Sequence, residues 1–317
     1  MYIPTYDDVL AARERIRPYI HQTPVLTSEY LNELTGAELF FKCENFQKAG
    51  AFKVRGACNA VFGLSAEQAG NGVATHSSGN HALSLSYAAG RRGIKAWVVM
   101  PHTAPDAKKA AVRSYDGEIS ECGPSMAQRE AMLKELVSRT GADFVHPYND
   151  HRVIAGQATC SLELHEEIGA LDTVVAPIGG GGMISGTCLT MSNISPDTKI
   201  YAAEPKNADD AYRSFRAGTI IEDDAPQTVA DGLKVSLRPL TWHFVSRYVA
   251  DVLLVTEQEI IDAMYLTWQR MKIVIEPSSS VALATIMKNQ ELFAGKRVGV
   301  IVTGGNVDLK NLPWINN

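Results

Sequence analysis

The chain has 317 residues, 45% of them hydrophobic and 21% charged, which is enough for two domains with real cores. Thirty Lys and Arg against 35 Asp and Glu give a formal charge of −5, and no basic tract of five residues occurs, which argues against a nucleic-acid partner. No apolar run approaches the ~18 residues of a membrane helix, so a membrane role is excluded too.

The start, Met1 to Asp8, has neither the basic flank nor the apolar stretch of a signal peptide. Five cysteines (Cys43, Cys58, Cys122, Cys160, Cys188) are scattered with no C-x-x-C pair. The pattern suits reduced thiols, and a cytoplasmic location is expected.

Taken in chain order, the segment after Thr5 reads as an amphipathic helix, followed by an apolar strand at Leu39–Cys43 and a helix-like run from Val54 to Gly63. Alternation then sets in: strand Val73–Thr75, helix Gly79–Arg92, strand Ala96–Met100, helix Pro105–Tyr115, helix Ser125–Thr140 and strand Asp143–His146. It resumes with strand Thr173–Ile178, a helix from about Met183 and strand Lys199–Glu204. Strand Val252–Val255, a helix opened by Thr256 with Glu259 as a capping box, and strand Arg297–Val302 complete it. Such alternation predicts an α/β fold with parallel sheets covered on both faces, here two of them.

Ligands of α/β sheets sit where strands turn into helices. Four such turns are unusual: Lys48-Ala49-Gly50-Ala51-Phe52-Lys53, Ser77-Ser78-Gly79-Asn80-His81, Gly179-Gly180-Gly181-Gly182-Met183 and Thr303-Gly304-Gly305-Asn306. Four consecutive glycines between a strand and a helix let backbone N–H groups converge at a helix's positive end, a cup for a phosphate. The dinucleotide pattern G-x-G-x-x-G fails because Ser185 falls at the third glycine, and no Gly-Lys-Ser/Thr follows. A single phosphate is therefore expected. Lys53, at a helix start, is placed to lose hydration and become a nucleophilic amine able to hold an aldehyde cofactor.

These four motifs, in order and spacing, resemble the serine racemase and serine-threonine dehydratase branch of pyridoxal-phosphate enzymes. This is fold type II, related to the tryptophan synthase β subunit. The resemblance runs from Thr23-Pro24-Val25-Leu26 to the end. It implies a large cofactor-binding domain of residues 1–71 and 149–317, a small mobile domain of residues 72–148, and a homodimer. Lys53 would carry the cofactor as a Schiff base and Phe52 would pack beside it. Asn80 would hydrogen-bond the pyridoxal oxygen, the N–H groups of Gly179, Gly180, Gly181, Gly182 and Met183 would hold the phosphate, and Thr303 would face the pyridine nitrogen. A neutral hydroxyl there suits prompt loss of a β-leaving group better than a carboxylate does.

Ser77, Ser78, Gly79, Asn80 and His81 would grip the substrate's α-carboxylate, with Ser78 across the cofactor from Lys53 as a second acid–base group. Without the resemblance, serines ahead of a helix read as N-caps. The family's divalent-cation site maps to Glu204, the Ala208 carbonyl and Asp210, a set suited to Mg²⁺ and also to Ca²⁺ or Mn²⁺; the alternative is an acidic loop capping the next helix. Leu83 stands where the family often has glutamine, which weighs against nucleotide activation.

Arg129 aligns with an arginine that serine racemases and 3-hydroxyaspartate dehydratases use toward a distal carboxylate; otherwise it is a solvated charge on the helix near Ser125. It points to dehydration of 3-hydroxyaspartate to iminosuccinate, then oxaloacetate and ammonia. The alternatives are a serine racemase with L-serine/L-threonine dehydratase activity, a binding protein that keeps the fold without chemistry, and, most remotely, a nicotinamide oxidoreductase.

Overall fold

The structure, a computed structural model, describes residues 1–223 and 225–315. Ten strands form two sheets. They are β1 (Val25–Leu26), β2 (Glu38–Cys43), β3 (Val73–His76), β4 (Ala96–Pro101), β5 (Glu118–Cys122), β6 (Asp143–Phe144), β7 (Thr173–Pro177), β8 (Lys199–Pro205), β9 (Val249–Val255) and β10 (Arg297–Val302). One sheet has six strands in the order β1-β2-β10-β7-β8-β9, and the other has four in the order β5-β4-β3-β6. Pairing is parallel throughout except at the edge, where β1 runs antiparallel to β2. The α/β class and the two mostly parallel sheets agree with the expectation.

Local signals explain most element starts. Thr5, Ser125 and Thr256 each cap a helix reciprocally with Asp8, Gln128 and Glu259. The central strands β7 and β10 are buried almost end to end, as a sheet with both faces covered requires. The expected strand Asp143–His146 stops at Phe144, because the His146 ring turns the chain: its Nδ1 accepts the N–H groups of Tyr148 and Asn149 at 3.2 and 2.9 Å.

The 18-residue helix His151–Ile168 escapes the sequence patterning because it is buried on most sides. Asp150 caps it by accepting from Arg152 N at 2.9 Å. At Gly156 the helix meets the one that carries Lys53. A Cβ there would lie 2.6 Å from the Arg55 carbonyl oxygen and from Gly56 Cα, so only glycine permits the approach.

A buried ionic cluster reinforces this junction. Arg55, fully buried, donates to both oxygens of Glu44 at 2.7 and 2.8 Å and to both of Glu163 at 2.7 Å. Lys42, also fully buried, meets Glu163 at 2.8 Å and donates to the Thr23 carbonyl at 2.6 Å. Two cations face two carboxylates, so the charge is balanced and each donor has a partner. The cluster ties the Lys53 helix to β2 and to the helix His151–Ile168. All five cysteines are free and buried. Among the described residues no helix is long and apolar enough to cross a membrane.

Candidate active site

The turn before Lys53 is stitched to the end of β10. Ala51 forms an isolated bridge with Gly304, Phe52 N donates to the Thr303 carbonyl at 3.0 Å, and Gly305 N donates to the Gly50 carbonyl at 2.9 Å. This brings together two of the four unusual turns, although about 250 residues separate them in the chain. Lys53 begins the helix Lys53–Phe62. Its Nζ donates to the Pro147 carbonyl at 2.9 Å and sits 5.0 Å from the centre of the Phe52 ring. Burial lowers the Lys53 amine to about 8, against an opposing pull from the Glu276 charge.

Pro147 leads directly to the glycine loop through Tyr148. A Cβ on Gly180 would lie 2.6 Å from the Tyr148 ring, and one on Gly182 would lie 2.8 Å from Tyr148 Cβ. Gly181 has φ +84°, a conformation that favours glycine. The glycines are therefore required by what packs behind them. On the other side, the buried N–H groups of Gly179, Gly180, Gly181, Gly182 and Met183 donate to no protein group among the described residues. Five buried donors at the start of the helix Gly182–Ile194 would be costly in an idle loop; they fit a phosphate.

Thr303, 4% exposed, has its hydroxyl 3.0 Å from Ser279 Oγ. Ser279 in turn donates to the Gly304 carbonyl and accepts from Gly304 N, both at 2.7 Å. The Thr303 hydroxyl is thus held at the end of β10 as a neutral group. These features together fit pyridoxal phosphate: an amine, a phosphate cup and a hydroxyl for the ring nitrogen, arranged around one turn.

The Ser77–His81 loop follows β3. Neither serine caps the helix Asn80–Arg92; Gly79 occupies the cap position and provides no side-chain bond, so the N-cap reading of the serines does not hold. Ser77 Oγ accepts from Gly79 N at 3.4 Å. The N–H groups of Asn80 and His81, at the helix start, have no protein acceptor among the described residues, which suits a carboxylate. The His81 ring turns inward to the Val145 carbonyl at 3.1 Å, and burial holds its pKa well below the usual histidine value.

Glu276, which the sequence does not single out, and Asn306, from the fourth of the unusual turns, complete this region. Glu276 Oε1 accepts from Asn80 Nδ2 at 2.9 Å, and Asn306 Nδ2 donates to Asn80 Oδ1 at 2.9 Å. Burial, with repulsion from Asp231, raises the Glu276 carboxyl to about 7, while Asn80 and Asn306 donors oppose the rise. The available signal was an acid inside the otherwise apolar run Ile273-Val274-Ile275-Glu276-Pro277.

Arg129 lies in the first turn of the helix Met126–Thr140. It donates to the Pro124 carbonyl at 2.9 Å, makes no ion pair among the described residues, and its buried Nε has no partner. After burial, its charge adds to the lowering of the His76 pKa at the end of β3, against an opposing pull from Glu130. No acidic side chain among the described residues pairs with it.

Glu204 and Asp210 are both buried. Glu204 accepts the N–H groups of Ala211 and Tyr212 at 2.9 and 2.8 Å, so it does cap the helix Asp210–Ala217. Yet Asp210 Oδ2 is buried without a partner. Burial and mutual repulsion push Glu204 well above the carboxylate range, and burial raises Asp210 to about 6. Among the described residues no three His, Cys, Asp or Glu side chains gather, so a cation here would need a backbone carbonyl such as that of Ala208. A buried carboxylate pair with no cation paired to it among the described residues and one partnerless oxygen, Asp210 Oδ2, fits a hard divalent cation.

Two α/β sheets, a buried lysine and a glycine cup define a pyridoxal-phosphate enzyme of fold type II. The family model described as "Pyridoxal-phosphate dependent enzyme" matches residues 16–304, and the chain belongs to that family. It is 67% identical over 314 residues to the β-hydroxyaspartate dehydratase of Paracoccus denitrificans (strain Pd 1222), covering 99% of this chain and 100% of that one. It is 47% identical over 317 residues to a serine racemase of Dictyostelium discoideum, covering 99% and 98% of the two chains. The structure of maize serine racemase superposes with a TM-score of 0.96 at 44% identity, covering 98% of this chain and 95% of that one.

Proposed function

We propose that this protein is a pyridoxal-phosphate-dependent dehydratase that eliminates water from 3-hydroxyaspartate. The Cα proton and the β-hydroxyl leave as water, giving iminosuccinate, which hydrolyses to oxaloacetate and ammonia. The observation that carries the substrate is the 67% identity, end to end, to a β-hydroxyaspartate dehydratase. Arg129, whose guanidinium has no acidic partner among the described residues, supports it as a group able to pair with the carboxylate that distinguishes this substrate from serine.

When bound, pyridoxal phosphate supplies a sink for the electrons left at Cα after deprotonation. Lys53 holds the cofactor and takes the Cα proton, its lowered pKa making the neutral amine available near neutral pH. The N–H groups of Gly179–Met183 bind the phosphate, Phe52 packs beside the ring, and Thr303 gives the ring nitrogen a neutral partner. Asn80 meets the ring oxygen. The loop Ser77–His81 binds the α-carboxylate through backbone and hydroxyl donors, and Ser78 offers a second proton carrier on the opposite face. That second carrier is why serine racemisation, with L-serine and L-threonine dehydration, is the alternative activity; the likeness to serine racemases favours testing it.

Residues 72–148, which carry the four-stranded sheet, act as the smaller domain closing on substrate over residues 1–71 and 149–317. Glu204, Ala208 and Asp210 hold Mg²⁺ or another divalent cation, Ca²⁺ or Mn²⁺. The protein acts in the cytoplasm, as its scattered reduced cysteines suggest, and as a homodimer, as the family resemblance implies.

The test compares keto-acid release from the 3-hydroxyaspartate stereoisomers, L-serine and L-threonine, with D-serine followed in parallel. A far higher kcat/KM for one hydroxyaspartate isomer is expected. D-Serine forming faster than any keto acid would make the protein a racemase instead.

A further inference from the structure

Glu276 is a carboxylate with 4% exposure and no ion pair among the described residues. Such a group is costly to bury unless its acceptors are used. Here they are: Asn80 Nδ2 lies 2.9 Å from Oε1 and 3.2 Å from Oε2, and Asn306 N donates to Oε2 at 3.1 Å. The backbone holds the carboxylate in place, since Glu276 N donates to the Gly304 carbonyl at 3.0 Å. Asn80 is gripped from its other end by Asn306, whose Nδ2 donates to Asn80 Oδ1 at 2.9 Å and to the Ala49 carbonyl at 2.8 Å.

This arrangement fixes which way the Asn80 amide points. The Ala49 carbonyl only accepts, so the NH₂ of Asn306 faces it and also donates to the Asn80 oxygen, which leaves the NH₂ of Asn80 facing Glu276. An NH₂ has two hydrogens, and Glu276 uses one. The contact also crosses between the two sheets: Asn80 follows β3 of the smaller sheet, whereas Glu276 and Asn306 flank β10 of the larger one.

We propose that Glu276 is a positioning residue for the cofactor, locking the Asn80 amide so that its second N–H is the donor presented to the pyridoxal ring oxygen. The inference rests on Asn80 being the ring-oxygen contact. A glutamine at 276 would set its own NH₂ against the NH₂ of Asn80 or the N–H of Asn306, and the amide would lose its anchor. An aspartate keeps both acceptor oxygens, one methylene short.

The experiment compares holoenzymes of the wild type, Asn80→Ala, Glu276→Gln and Glu276→Asp. It reads the ratio of the yellow to the near-ultraviolet absorbance band of the lysine-bound cofactor, with cofactor retention on dialysis. Circular dichroism checks the fold. Asn80→Ala should shift the ratio, and Glu276→Gln should shift it the same way with roughly tenfold weaker retention, the equivalent of one hydrogen bond to a charged group. Glu276→Asp should recover most of the wild-type ratio. A shifted ratio in Asn80→Ala beside a wild-type ratio in Glu276→Gln would overturn the role of Glu276 alone. An unshifted Asn80→Ala would overturn the Asn80 contact, and the inference with it. Should Glu276→Gln not fold, Glu276→Ala takes its place and must shift the ratio in the direction of Asn80→Ala; a wild-type ratio in it would overturn the proposal.

Discussion

Phe52 and Thr303 are joined by a backbone hydrogen bond of 3.0 Å, with Phe52 N donating to the Thr303 carbonyl. The residue before the lysine is therefore anchored to the residue assigned to the ring nitrogen. Because that bond belongs to the backbone, Lys53 can be exchanged without releasing the turn.

Lys53→Ala should accordingly keep its circular dichroism and thermal transition while losing turnover by at least on the order of 10³-fold, the scale of an essential proton carrier. The yellow absorbance should vanish with it. Substantial activity in a folded Lys53→Ala protein would remove Lys53 from the chemistry.

The pH dependence of cofactor loading follows from the same residue. Burial lowers the Lys53 amine from 10.5 to about 8, and only the neutral amine attacks an aldehyde. Mixing apoprotein with pyridoxal phosphate should give a loading rate that rises with pH up to about 8 and flattens above it. A rate still climbing toward the ordinary lysine value of 10.5 would show that the amine is not perturbed.

Arg129→Ala should lower kcat/KM for 3-hydroxyaspartate by roughly 10²-fold, the loss expected of one charge-assisted carboxylate pair. The effect on L-serine, which has no distal carboxylate, should be about threefold or less on the same reasoning. Steady-state kinetics on both substrates decides; equal losses would make Arg129 structural.

Arg55→Met should be severely destabilising. It leaves Glu44 and Glu163 buried with Lys42 as their remaining cation, a deficit of about 3–5 kcal/mol. For a chain of this size that is a fall in Tm of roughly 4–8 °C, measurable by differential scanning fluorimetry. Lys95→Ala, which breaks the surface pair with Glu118, should barely move it. Comparable shifts for the two variants would show that the buried cluster carries no special weight.

Chelation tests the cation site. If Glu204 and Asp210 hold a divalent cation, EDTA should lower Tm by several degrees, about what saturating a site stabilises, and excess Mg²⁺ or Ca²⁺ should restore it. Glu204→Gln should abolish the response. A Tm indifferent to chelator and cation would leave Glu204 as a helix cap alone.

The parts of the site legible in the sequence are those written in consecutive residues. Four glycines in a row, or Ser-Ser-Gly-Asn-His before a helix, encode a backbone shape that the chain carries locally. Ser279 and Tyr148 are not legible, because each acts on a motif far away along the chain and their own neighbourhoods look like ordinary strand exits or helix starts; Glu276 shows only as an acid in an otherwise apolar run. No neighbouring residue in the sequence marks Arg55 as buried; the meeting of β2 with the helix His151–Ile168 buries it. The strand β5, Glu118-Ile119-Ser120-Glu121-Cys122, was missed for a different reason. It lies at an edge and keeps polar side chains, so it lacks the apolar run that betrays the central strands.

Tyr148 fills the space on which side chains at both 180 and 182 would intrude. The ring and the missing side chains are two halves of one mould. A mutation enlarging either glycine meets a wall that a simultaneous change at Tyr148 would have to remove, and that same segment supplies the Pro147 carbonyl to Lys53. Drift at any of these positions therefore has to pass through double changes, which confines variation around the cup to the few sequences that repack it in a single step.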